Sequence, residues 1–127
     1  MGATSESDGL GAEDAKLVTL ARGAMGRVRA RRGAAVRDET GRTYSAADVD
    51  LPGLCASAIV LAVATAAASG ARALEAVAVV GPTDITVAER AAVAALGGAP
   101  VLLCDAMGAV VATETVTPDA TGSGVVL

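Results

Sequence analysis

Histidine is missing altogether from this 127-residue chain, and cysteine occurs only at Cys55 and Cys104. Without an imidazole no Ser-His-Asp arrangement can form, so Ser57 has no base to activate it. A catalytic zinc needs three protein ligands, usually nitrogen or sulfur, plus an open position for water. One copy of the chain cannot supply three soft donors; only a site shared between subunits through Cys55 or Cys104 escapes that count. Two cysteines give no disulfide framework and fit a reducing cytoplasm. Both are expected to be small buried apolar side chains rather than reactive thiols. Phe and Trp are absent too, leaving Tyr44 as the single aromatic. Nucleobases are commonly held by stacking on rings, so that mode of binding has one candidate, and core packing with the hydroxyl at the rim is the expected role of Tyr44. No run reaches the roughly 18 apolar residues that mark a membrane helix. The longest stretch, residues 54–68, is interrupted by Ser57 and Thr65. Residues 1–11 are polar and acidic and are not expected to act as a signal or transit peptide.

What the chain does have is apolar material, 53% of its residues, most of it Ala, Val and Leu. A core of small side chains suits close helix-on-sheet packing. The net charge of −4 argues against a general affinity for nucleic acid or anionic membrane. Residues 1–11 are expected to form a disordered leader, residues 12–122 one domain, and residues 123–127 a flexible tail.

Along the chain, Ala15, Leu17, Val18, Leu20, Ala21 and Met25 recur at helical spacing. The spacing predicts a helix from Glu13 that Gly33 ends, with Arg22, Arg27, Arg29, Arg31 and Arg32 loading its C-terminal part, as the helix dipole favours. Residues 33–38 and 42–49 flank an acidic turn containing Gly41 and read as a β-hairpin. Pro52 and Gly53 are expected to open a long apolar helix over residues 54–69, closed by Gly70. Residues 74–80 are nearly all apolar, as in a strand buried on both faces. Residues 86–96 read as a helix stopped by Gly97 and Gly98, which have no phosphate-loop spacing. Residues 101–104 and 109–112 are two more strands joined by a turn. The order predicts an α/β fold, a three-layer α/β/α sandwich on a mixed sheet of about five strands.

Several stretches resemble the cytidine deaminase family. Its hairpin text, Gly-Ala-Ala-Leu, then Asp and Gly, then Tyr and Asn-Val-Glu-Asn, is matched by Gly33, Ala34, Ala35 and Val36, then Asp38 and Gly41, then Tyr44, Asp48, Val49 and Asp50. The family's next helix opens with Cys-Ala-Glu or His-Ala-Glu; Ser57, Ala58 and Ile59 stand there, and Gly70 closes the helix. After the buried strand the family shows Pro-Cys-x-x-Cys-Arg, where this chain has residues 85–90. The resemblance spans roughly residues 13–122 and implies a cytidine deaminase-like fold, with zinc-dependent hydrolytic deamination of cytidine as the family's activity.

Carried over residue by residue, the resemblance puts the three zinc-ligand positions at Ser57, Thr86 and Glu89, and the proton-shuttling carboxylate at Ile59. A register slid by two residues would use Cys55 and Ser57 and still supplies no acid. Zinc is thus the family's metal and none is expected here. Val87, Ala88, Glu89 and Arg90 echo the Cys-Ala-Glu text with the ligand replaced, and Glu89 and Arg90 are expected on a solvated helix face. The segment that holds ribose hydroxyls in the family becomes Asp48 and Asp50. Two carboxylates two residues apart on a strand share a face and can accept hydroxyl hydrogen bonds; alternatively they mark a solvated strand end, with Asp50 near the next helix N-terminus. The cluster Arg27, Arg29, Arg31 and Arg32 is either a solvated helix end or a contact for an unknown acidic protein or RNA partner. The family's habit of assembly implies a homo-oligomer, a dimer or tetramer. Three readings follow: a non-catalytic structural or interaction module, a nucleoside-like binder without turnover, and an active cytidine deaminase.

Overall fold

The structure is a computed structural model and describes residues 10–118. The expected disordered leader and flexible tail lie outside the described residues, except that Leu10 packs on the core and Gly11 precedes the first helix. Helix α1 (Ala12–Val28) leads into β1 (Gly33–Asp38) and β2 (Thr43–Ala47). A small hairpin of β3 (Val49–Leu51) and β4 (Leu54–Ala56) follows, then α2 (Ala58–Ala68) and β5 (Leu74–Val80). The chain continues through α3 (Val87–Ala95), β6 (Ala99–Cys104) and β7 (Val110–Val116).

Five strands form one mixed sheet in the order β2-β1-β5-β6-β7. Strand β5 runs parallel to β6, with α3 as the crossover, and every other pairing is antiparallel. The sheet buries both faces, because successive strand residues point to opposite sides. One face carries Ala34, Val36, Val77, Val79, Val101 and Leu103 under α2 and α3. The other carries Ala35, Ala76, Ala78 and Val80 under Leu17, Val18 and Ala21 of α1. This is the expected three-layer α/β/α sandwich, and the alanines explain the composition: they let α1 lie close on the sheet.

Two element boundaries differ from the sequence reading. Helix α1 stops at Val28, with Arg29 in the left-handed conformation (φ 53°) and the Ala30 N–H donating to the Met25 carbonyl at 3.0 Å. A non-glycine residue thus takes the role expected of Gly33, which instead begins β1. Pro52 and Gly53 do not open a helix. They turn the β3–β4 hairpin, and α2 begins only after Ser57. The apolar run over residues 54–69 has no periodicity that separates a short strand from the helix following it.

Candidate functional site

The first turns of α2 and α3 are built by side-chain caps. The Ser57 hydroxyl accepts the Val60 N–H at 3.2 Å. Thr86 accepts the Glu89 N–H at 3.1 Å, and the Glu89 carboxylate accepts the Thr86 N–H at 2.9 Å, a reciprocal capping box. Both caps are legible locally, since Ser and Thr before an apolar run, with Glu three residues on, satisfy amides that the helix leaves free.

The fold brings these two helix starts together around Arg32. Far from standing with the other arginines, Arg32 is 5% exposed. Its Nη2 donates to Glu89 Oε2, and its Nη1 donates to the Asp84 carbonyl at 3.3 Å. Its Nε lies 3.8 Å from Asp48 Oδ1 and has no hydrogen-bond partner among the described residues. Glu89, expected on a solvated face, is 2% exposed. Burial pushes its carboxyl up, yet the Thr86 N–H, the Arg32 guanidinium and the Ser57 hydroxyl together hold it below the ordinary carboxylate value. Its neighbour Arg90 is half-buried and also committed, Nη2 donating to Glu114 Oε1 at 3.1 Å and Nη1 to the Ile85 carbonyl at 2.8 Å. The Glu114 bond pins α3 to β7.

Ile59, at the position of the family's acid, is fully buried in the core beneath α2. Asp48 lies between β2 and β3, where its Oδ1 accepts the Ala58 N–H at 2.7 Å. The helix-end role foreseen for Asp50 therefore belongs to Asp48. Asp50 is exposed on β3, with the Cys55 thiol donating to its Oδ1 at 3.2 Å. Both aspartates border an open groove of about 860 Å³, whose other walls include Val28, Arg29, Arg31 and Leu51. Arg27, Arg29 and Arg31 are exposed, so three of the four clustered arginines stay on the surface. Tyr44 is half-buried against the core, and its hydroxyl donates to Asp38 Oδ2 at 3.0 Å.

The two cysteines part company. Cys104 is fully buried, and burial pushes its thiol up to about 11. Cys55, expected to be buried, is exposed because it sits on the small hairpin rather than inside a helix. The contact with Asp50, and then partial desolvation, raise its pKa as well. Ellman's reagent is expected to label one thiol, Cys55, in the native protein, and the second only after denaturation. Asp50→Asn should speed the first reaction by lowering that pKa. Two equivalents released from the folded chain would contradict this placement.

The residues at the expected ligand positions do not fit zinc. Each is an oxygen donor already engaged: Ser57 and Thr86 with backbone amides, Glu89 with an amide and a guanidinium. Zinc sites of the kind described use nitrogen and sulfur. Among the described residues no group of three or more His, Cys, Asp or Glu side chains is placed to hold a metal ion.

A family model described as cytidine deaminase-like matches residues 10–108, most of the sequence. The chain belongs to the cytidine deaminase-like family. Among solved structures, cytidine deaminase from Burkholderia pseudomallei superposes with a TM-score of 0.69 at 22% identity, over 87% of this chain and 97% of that one. At that identity the likeness speaks for the fold alone. No curated protein matches the chain significantly. Sequence reasoning misplaced Arg32 along with Glu89 and Cys55, and for Arg32 no local signal would have found it. Its carboxylate partner lies 57 residues away.

Proposed function

We propose that this member of the cytidine deaminase-like family is non-catalytic and acts as a structural or interaction module. One observation carries the reading: at the positions where the family would hold zinc and its acid, this chain has engaged oxygen donors and the buried Ile59. The sequence adds that the chain has no imidazole and only two thiols. Water activation by a three-ligand zinc therefore has no donor set, and proton transfer has no carboxylate at the required place. Purified protein is expected to contain no stoichiometric zinc and to leave cytidine unchanged. Stoichiometric zinc together with ammonia release would overturn the proposal.

The groove favours a second reading, a binder of a nucleoside-like molecule without turnover. Asp50 is exposed, with its Oδ1 on the Cys55 thiol and its Oδ2 open to a hydroxyl among the described residues, whereas Asp48 Oδ1 is committed to the Ala58 N–H, and no aromatic side chain borders the groove. Titration with cytidine and uridine would give heat that Asp50→Ala removes; no heat from a panel of nucleosides ends this reading.

By resemblance the chain forms a dimer or tetramer, and α2, which has no charged residue, is the surface we assign to it. A clean monomer by light scattering at micromolar concentration would count against that. Exposed Arg27, Arg29 and Arg31 are the proposed contact for an acidic protein or RNA partner. Among the described residues no helix is long and apolar enough to cross a membrane. The cytoplasm is the compartment we propose.

A further inference from the structure

Three oxygen atoms from separate segments converge on one buried cation. Glu89 Oε2 comes from α3, the Asp84 carbonyl from the loop before it, and Asp48 Oδ1 from the link between β2 and β3. Arg32, at the entry to β1, is what they share. The surroundings would otherwise repel positive charge, because the N-termini of α2 and α3 both carry the positive end of a helix dipole. Each end is covered by a carboxylate: Asp48 accepts the first amide of α2, and Glu89 closes the first turn of α3. A single cation bridging those two carboxylates ties both helices to the sheet, the work a structural metal ion does elsewhere.

We propose that Arg32 is the resident cation of this site, a built-in replacement for the family's metal ion, so that the chain contains a cation pocket filled by its own guanidinium. The donor chemistry agrees. Oxygen ligands suit a hard cation or a planar guanidinium fork, not a thiolate-bound zinc. With Arg32 5% exposed, a free ion cannot enter while the guanidinium is seated. The idea deepens the non-catalytic reading and rests on it, since a bound metal would displace the guanidinium. Its test reads melting rather than metal or turnover, so either can fail without the other.

The test uses the full chain carrying Arg32→Ala and, as the probe, methylguanidinium chloride against matched sodium chloride. Truncation leaves the buried Glu89 carboxylate and the half-buried Asp48 carboxylate facing a vacancy of guanidinium size. The variant is expected to melt lower by roughly 10 °C or more. It should then regain several degrees, saturably, in millimolar methylguanidinium, while the natural chain gains nothing. A variant that melts like the natural chain, or a probe that shifts both proteins alike, overturns the proposal. Should Arg32→Ala fail to fold, Arg32→Met/Glu89→Met removes the guanidinium and the carboxylate in direct contact with it together, leaving Asp48. A cooperatively melting double variant supports the cation role; a double variant that is also unfolded overturns it.

Discussion

Glu89→Ala is expected to cost about 3–5 kcal/mol of stability at neutral pH, the range for breaking a buried ion pair by removing one partner. The loss is large because Arg32, 5% exposed, would keep its charge with no carboxylate in direct contact, and Asp48 stands 3.8 Å from its Nε. A smaller part comes from the Thr86 N–H, which loses its acceptor. Thr86→Ala provides the comparison: it removes the hydroxyl cap and leaves the ion pair, so about 1 kcal/mol is expected. Urea midpoints at unchanged slope measure both. Equal losses in the two variants would mean that the cap, and not the charge pair, holds α3.

Acid should act on the same contact. The Glu89 carboxyl is depressed in the folded chain, so its contribution is complete above its ordinary value of 4.5 and is lost as pH falls through the folded value. Asp38 moves the same way: burial opposes ionisation, but the Thr40 hydroxyl and amide, the Arg42 amide and the Tyr44 hydroxyl outweigh it. The natural chain is therefore expected to melt at a steady temperature from neutrality down to that range and progressively lower beneath it. In Glu89→Ala the acid limb should be shallower.

Gly33→Ala should be nearly as damaging, at the upper end of the 1–3 kcal/mol typical of overpacking, and Gly33→Val should not fold. A Cβ at Gly33 would lie 2.1 Å from the Ala21 carbonyl oxygen and 2.9 Å from Met25 Cβ. Both neighbours belong to α1, so the helix would have to lift from the alanine-lined face of the sheet. Gly41→Ala is the control. Its φ of 89° disfavours a side chain, but nothing lies within 4 Å, so about 1–2 kcal/mol is expected. Thermal midpoints of the two alanine variants decide the matter. If Gly33→Ala melted no lower than Gly41→Ala, the close seating of α1 on β1 would be wrong.

Much of the scaffold could be read directly. The apolar run at β5 announced a strand covered on both faces, and Thr86 with Glu89 matches the capping pattern of a helix start. The β3–β4 hairpin could not, because Leu54, Cys55 and Ala56 continue without a break into the apolar text of α2. Two consequences depend on that hairpin: Cys55 lies at the surface, and the carboxylate at the start of α2 is Asp48.

The sequence by itself determined which chemistry lacks donors, since imidazoles and thiols are counted without coordinates, and that β5 is covered on both faces, since its run of apolar residues is local. Only the tertiary structure decided that one arginine of the cluster turns inward while Arg27, Arg29 and Arg31 stay in water. Helix and strand preferences act over a few residues, but the depth at which a charge settles depends on carboxylates carried in from distant segments. For Arg32 those are Asp48 and Glu89, and folding alone brings them to it.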